Sequence, residues 1–295
     1  MMHVDELIAD EEAVFRLIEA QAPEWADLAL SSIASTGTDN WLFRLGTTQV
    51  LRLPRRPSAI ALMAKELDWL PHLQGLSLDV PHLRFRGHAD LGTLCEFGIF
   101  DWMDGDIASA DAIANWADAA QALARFLLSL QAKSTAGAPR AGPSNSRRGV
   151  PLHDLNDVTL SSIDVLCDEI DVSAAKAIWH KGLSAPYAGP GVWLHGDLKA
   201  DNLIARCGAL AGVIDWGLAA VGDPAADYAS AWSWVDPSAR DVFRTQCAID
   251  DGDWHRARAW ALYGAVIALS YYRGGKNEAL CRQSRQTLTR LGLLL

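Results

Sequence analysis

The sequence lacks cysteines at any metal-like or disulfide-like spacing. Its five cysteines (Cys95, Cys167, Cys207, Cys247 and Cys281) are odd in number, widely spread and without a C-x-x-C pair. Neither a disulfide framework nor a thiolate zinc site is expected, which points to a reducing compartment. Long apolar runs are missing too. The longest, around "WALYGAVIALSYY", falls short of the roughly 20 residues a membrane span needs and reads as a buried helix. Basic residues are in the minority, 26 Lys and Arg against 36 Asp and Glu, for a formal net charge of −10. A nucleic-acid backbone or an anionic membrane is therefore a poor partner, whereas a cationic small molecule is compatible. The opening "MMHVDELIADEE" is acidic and has no basic start ahead of an apolar run. No signal peptide is expected, and a cytoplasmic location is.

What is present suits a globular enzyme. The chain has 295 residues, 50% apolar and 21% charged, enough for one large core or two modest ones. Residues 5–20 carry apolar positions at helical spacing. "SSIAST", "NWLFRLG" and "TQVLRLP" read as short strands joined through Gly37 and Gly46. Pro57 and Ser58 open a helix with Ile60, Met63, Leu67 and Leu70 along one face, closed by Pro71. "TLCEFGIF" reads as a further strand leading into the polar turn "DWMDGD", where the composition changes. Beyond it the chain is mainly helical, beginning with an Ala-rich periodic stretch at 110–132. "KSTAGAPRAGPSNSRRG" is a loop or mobile excursion within that second part. The expected division is therefore residues 1–101 and 102–295.

The chemistry concentrates in "WLHGDLKADNLI", Trp193 to Ile204, which sets an imidazole, two carboxylates, an ammonium and an amide in one turn. Apolar segments follow on either side of a Gly-containing turn, "NLIAR", "CGA" and "LAGVID". They predict a β-hairpin that returns Asp215 beside Asn202. An aspartate, an amide oxygen and a second aspartate are hard oxygen ligands of the kind magnesium takes alongside substrate phosphates. An aspartate left over from the metal can orient an attacking hydroxyl and accept its proton.

The order His195-Gly196-Asp197, Asn202, then Asp215-Trp216-Gly217, with "GDPAADYASAW" after it, resembles the aminoglycoside phosphotransferase family. That kinase-like group includes macrolide-phosphorylating enzymes. The resemblance implies an α+β, two-lobed, protein-kinase-like fold. An N-terminal antiparallel sheet lobe with one helix would cover the nucleotide, and a larger helical C-terminal lobe would carry catalysis and the acceptor. It implies ATP or GTP as co-substrate with Mg²⁺, Asp197 as catalytic base, and Asn202 and Asp215 as metal ligands. His195 would brace the loop. Lys199 stands where the family often has His and where protein kinases have Lys, and its ammonium suits charge developing on the transferred phosphoryl group.

In the first lobe, Gly37 and Thr38 of "STGTDNW" would lie over the phosphates. Val50 and Arg52 share a strand face, Val50 against the base and Arg52 in the place of the kinase strand lysine. A guanidinium can hold phosphate in two-pronged fashion. Glu66 is its expected partner. In "FDWMDG", Phe100 stands at the gatekeeper position, and the backbones of Asp101 and Met103 at those that read the base.

The expected function is transfer of a γ-phosphoryl group to a hydroxyl of an aminoglycoside-like antibiotic. A macrolide or a small metabolite is the alternative acceptor. An inactive nucleotide-binding regulator would be expected to lose Asp197 or Asp215, and both are present. A dinuclear hydrolase needs more ligands than this hairpin offers, and a protein kinase needs a longer segment after Gly217. Trp232, Trp234, Asp236, Asp250, Asp251, Asp253, Tyr271 and Tyr272 are the aromatic and acidic residues of the presumed acceptor helices. Carboxylates with aromatics suit a cationic sugar, though tryptophans in apolar helices are more often core.

Overall fold

The computed structural model describes residues 6–33 and 39–295. The chain forms two compact units, Met1–Asp104 with Gly212–Leu218, and Gly105–Ala211 with Ala219–Leu295.

The first unit is built on a fully antiparallel sheet of β1 (Leu30–Ser32), β2 (Asn40–Leu45), β3 (Gln49–Pro54), β4 (Leu83–Asp90) and β5 (Leu94–Asp101), in the order β1-β2-β3-β5-β4. Side chains alternate across such strands. Phe43, Leu45, Leu51, Leu53, Phe97 and Ile99 accordingly form one apolar face, packed with Val14 and Ile18 of helix α1 (Glu11–Gln21). That helix starts later than its apolar spacing predicts. The Asp10 carboxylate accepts from the Ala13 N–H at 2.8 Å and so caps it there, which leaves Ile8 outside the helix and 76% exposed. Helix α2 (Pro57–Trp69) buries Met63, Glu66 and Leu67.

β4 is not anticipated by the sequence reading. As an edge strand it keeps Arg84, Arg86, His88 and Asp90 in solvent, the charged outer side that discourages pairing with other chains. Segment 212–218 joins this unit through the Val213 N–H, which donates to the Asp79 carbonyl at 2.9 Å.

In the second unit, β6 (Asp106–Ile107) and α3 (Trp116–Gln131) are followed by α4 (Asn156–Val165) and α5 (Val172–Leu183). Then come β7 (Val192–Leu194), the hairpin of β8 (Leu203–Arg206) and β9 (Ala209–Val213), and β10 (Ala220–Gly222). The expected hairpin is present and turns through Cys207 and Gly208, both at positive φ. The short helices α6 (Ala225–Tyr228), α7 (Ser230–Ser233) and α8 (Arg240–Gln246) precede α9 (Asp251–Tyr272) and α10 (Glu278–Leu291).

α9 carries the apolar run of the sequence and packs against α5, α6 and α10. No helix among the described residues is long and apolar enough to cross a membrane. The Gly/Pro/Ser-rich stretch after α3 is a loop, and a pinned one. The N–H of Ala141 donates to the Val221 carbonyl, that of Val221 to Pro139, and Asn145 is fully buried. All five cysteines are free thiols.

Candidate active site

In the first unit the polar cluster begins on β3. Arg52 lies on the face opposite Leu51 and Leu53 and is 8% exposed. Its Nη1 donates to Glu66 Oε1, and its Nη2 lies 3.4 Å from Asp215 Oδ1. Glu66 is 2% exposed, so it is no solvated helix face. Its Oε1 also accepts from the Trp216 N–H at 3.3 Å. Burial pushes the Glu66 carboxyl above the ordinary carboxylate range, against the pull of the Arg52 guanidinium. Burial works against the Arg52 charge too, and the carboxylates of Glu66 and Asp215 outweigh it.

Phe100 is fully buried opposite Val50, its ring 5.4 Å from the Arg52 guanidinium carbon. Asp101 is less free than its place in the turn suggests. Its N–H donates to His82, and its carboxylate takes two hydrogen bonds from Arg84, at 2.8 and 2.6 Å. Met103 makes no backbone–backbone hydrogen bond among the described residues. Gly37 and Thr38 lie outside the described residues.

In the second unit the cluster hangs from the end of β7, which pairs with β10. Past Leu194 the chain turns through Gly196 at φ 83°, a conformation that strains any residue with a Cβ. The turn is held by Asp227 of α6, whose two carboxylate oxygens accept the N–H groups of His195 (2.7 Å) and Gly196 (2.8 Å). Asp227 is 1% exposed. Burial raises its pKa, against His195 and the two N–H donors. His195 is wholly buried, and its Nδ1 accepts from the Asp197 N–H at 3.3 Å. It therefore supports the loop from within.

Asp197 is the exposed end of this arrangement. Its side chain is 23% accessible, and Lys199 Nζ lies 2.9 Å from its Oδ2. Asn202 Nδ2 donates to the same oxygen at 2.9 Å and to the Asp197 carbonyl at 2.8 Å. Desolvation pushes the carboxyl up, but the positive charges of Lys199 and Arg148 and the hydrogen bond from Lys199 outweigh it, so Asp197 is held below the usual aspartate value. The carboxylate stays ionised, with Oδ1 outside both contacts.

The donor set fits a hard cation. Because Asn202 commits its amide hydrogens to Asp197, its amide oxygen, the ligating atom, faces away from them. The Asp215 carboxylate is 43% exposed. No group of three His, Cys, Asp or Glu side chains placed for a metal occurs among the described residues.

The residues read as acceptor aromatics and acids are placed differently. Trp232 and Trp234 are 4% and 2% exposed, and the Trp234 indole N–H donates to the Ala108 carbonyl. Asp236 caps the turn at Pro237. Asp250 caps α9, Asp251 pairs with Arg244, and Asp253 pairs with Arg256. Carboxylates at a helix N-terminus are stabilised by its dipole, and that accounts for the acidic segment without a ligand. Tyr271 is 63% exposed, with Lys276 over its ring. Asp227 is the residue the sequence reading passed over. It falls in the quoted "GDPAADY" run, but nothing in the run itself shows that its carboxylate reaches back to peptide groups 31 and 32 residues upstream.

The fold matches a GDP and kanamycin complex of APH(2″)-IIIa with a TM-score of 0.73 at 19% identity, covering 95% of this chain and 98% of that one. It matches a streptomycin–ATP–APH(2″)-IIa ternary complex at 0.62 and 18%, covering 96% and 97%. A macrolide 2′-phosphotransferase, MphH from Brachybacterium faecium, matches at 0.61 and 21%, covering 92% and 97%. No curated protein matches the sequence. The family match spans residues 31–260, more than three quarters of the chain, and the chain belongs to the phosphotransferase enzyme family.

Proposed function

We propose that the protein is a small-molecule kinase that moves the γ-phosphoryl group of ATP or GTP to a hydroxyl of an aminoglycoside-like acceptor. The carrying observation is the ionised Asp197 carboxylate, with Lys199 and Asn202 both on Oδ2. In this reading Oδ1 receives the acceptor hydroxyl, orients its oxygen and takes its proton. Asn202 keeps the carboxylate from rotating. Lys199 moves from Asp197 to the transferred phosphoryl oxygens as charge develops there. Arg52, with Glu66 holding its guanidinium, grips the nucleotide phosphates. Asn202 and Asp215 would hold magnesium, which when bound offsets the charge of those phosphates. Residues 1–101 then cover the nucleotide, Val50, Phe100 and the backbones of Asp101 and Met103 bordering the base. Residues 102–295 carry catalysis and the acceptor, in a cytoplasmic protein.

The neighbours' kanamycin and streptomycin complexes favour a cationic acceptor. The engaged carboxylates at the start of α9 favour the second reading, a macrolide or a less charged metabolite. Nucleotide consumption with Mg²⁺ across aminoglycosides, macrolides and neutral polyols, at low and high salt, separates these. A polycation should lose affinity steeply as salt rises, and turnover of a macrolide alone would leave the chemistry and remove the aminoglycoside. Arg52→Ala is expected to raise the nucleotide KM and lower kcat, and Arg52→Lys to keep part of the activity. Unchanged kinetics in both would sink the phosphate role of Arg52.

A further inference from the structure

The helical unit contains a group of guanidinium ions that form no ion pair among the described residues. Arg240 on α8, Arg258 on α9 and Arg290 on α10 converge at the C-terminal ends of α7 and α10. Arg240 Nε donates to the Ala231 carbonyl at 2.8 Å, and Arg290 Nη1 to the adjacent Trp232 carbonyl at 3.3 Å. Arg258 Nη2 donates to the carbonyl of Leu291, the neighbour of Arg290, at 3.2 Å. Carbonyls at helix ends lack intrahelical partners, and the negative end of the dipole attracts cations. That explains one contact for each arginine. It does not explain their convergence, because a guanidinium has several more donors to satisfy. Arg240 Nη2 and Arg258 Nε are buried with no hydrogen-bond partner.

Arg256 shows the usual solution on the same helix. It pairs with Asp223 and Asp253 and donates to the Ala185 carbonyl. Among the described residues, its neighbour Arg258 has no carboxylate within ion-pairing distance, and neither have Arg240 and Arg290. Asp236 acts on Arg240 and Arg290 from outside ion-pairing distance, and Asp241 on Arg240, while the Asp236 carboxylate accepts from the N–H and hydroxyl of Ser238. Burial lowers the pKa of all three side chains, and for Arg240 the like charges of Arg290 and Arg258 lower it further. Each of the three residues is only partly buried.

We propose that Arg240, Arg258 and Arg290 form a binding site for a compact oxyanion, a phosphate or carboxylate group. Such a group accepts several N–H bonds at once and removes the mutual repulsion. The site lies on α10 seven residues, about 10 Å, beyond Gln283, which donates to Asp201 in the Asp197 loop. The anion is therefore either free or an anionic substituent of a molecule that also reaches this loop. The inference stands apart from the kinase reading, since it concerns binding by the helical unit alone.

The test is thermal unfolding of the full chain in inorganic phosphate against chloride of equal ionic strength. Wild type is expected to gain about 3 °C at ten times the dissociation constant. Arg240→Gln and Arg290→Gln should lose that gain, and Arg52→Ala should keep it. Arginines that only cap carbonyls would lower the Tm of the variants equally in both salts. That result, or a gain lost in Arg52→Ala instead, overturns the proposal. If Arg240→Gln does not fold, Arg290→Lys serves in its place, with a gain reduced but present. Nucleotide consumption with a polyol phosphate but not its parent polyol assigns the anion to the acceptor, and stabilisation without consumption assigns it to a free anion.

Discussion

Two acidic stretches of the second unit look alike as sequence and are built in opposite ways. Around Asp197 an aspartate stands with a lysine and an asparagine, and around Asp253 several aspartates stand with arginines. At the start of α9, Asp250 caps the helix, Arg244 holds Asp251, and Arg256 lies between Asp253 and Asp223, with its side chain 6% exposed. Each charge there has a structural partner, and that polar group closes on itself. In the Asp197 loop the structural work is done from beneath by Asp227, His195 and the turn at Gly196. Asp197 itself is left ionised and partly open, its side chain bound through Oδ2 alone among the described residues. A cluster of charged residues becomes a candidate site when support and reaction fall to different side chains.

The largest effect should come from the open cluster. Asp197→Asn keeps the shape of the side chain and removes the proton acceptor, so kcat is expected to fall by about 10²–10⁴. Nucleotide affinity and Tm should hardly change. Single-turnover assays beside a thermal melt would check this, and near-normal turnover in a folded variant would end the assignment of Asp197 as base.

The closed cluster should fail in the other currency, stability. Asp223→Ala leaves Arg256 buried with less of its partner charge, and breaking a buried pair in this way costs about 3–5 kcal/mol. Urea unfolding should record that loss, while turnover per folded molecule stays near wild type. A large fall in kcat with stability intact would erase the distinction between the two clusters.

Lys199 sharpens the comparison by a pH profile. Its ammonium is the chief charge holding the Asp197 carboxyl below the usual aspartate value near 3.8. A depressed carboxyl contributes stability that is present above its unfolded pKa and lost as pH falls through the folded one. The acid limb of kcat/KM should therefore lie below that of an ordinary aspartate, and Lys199→Met should move it upward while also lowering kcat. An acid limb that stays put would mean that the ammonium does not set the charge of the base.

Legibility in the sequence follows the range over which each contact acts. The β3 alternation put Arg52 on one face with Val50, because period is written locally, while Glu66 as its partner came only from the kinase resemblance. The β8–β9 hairpin was legible from the glycine between its apolar segments. β4 was not, since an edge strand with charges on one side and Phe85, Gly87 and Ala89 on the other carries little apolar signal. Asp227, and the convergence of Arg240, Arg258 and Arg290, depend on contacts between residues far apart in the chain. No spacing rule reaches them. The acidic start of α9 reads two ways for the converse reason. A helix cap and a cation site both call for clustered aspartates, and only the arginines facing them in space tell the two apart.

The smallest expected effect tests that last distinction. The Asp251 side chain is 88% exposed and pairs with Arg244 at the surface. Such solvent-screened pairs contribute little, and one exposed acidic residue in the first turn of a helix adds little more. Asp251→Asn should therefore lower stability only slightly. If α9 is merely capped here, the acceptor KM will be unchanged for every acceptor the enzyme turns over, at low and at high salt. If the segment instead receives an ammonium group, KM for a polycationic acceptor should rise several-fold at low salt, and that rise should shrink as salt screens the contact. A salt-sensitive KM change in Asp251→Asn would place the acceptor against α9 and make the closed cluster part of the site.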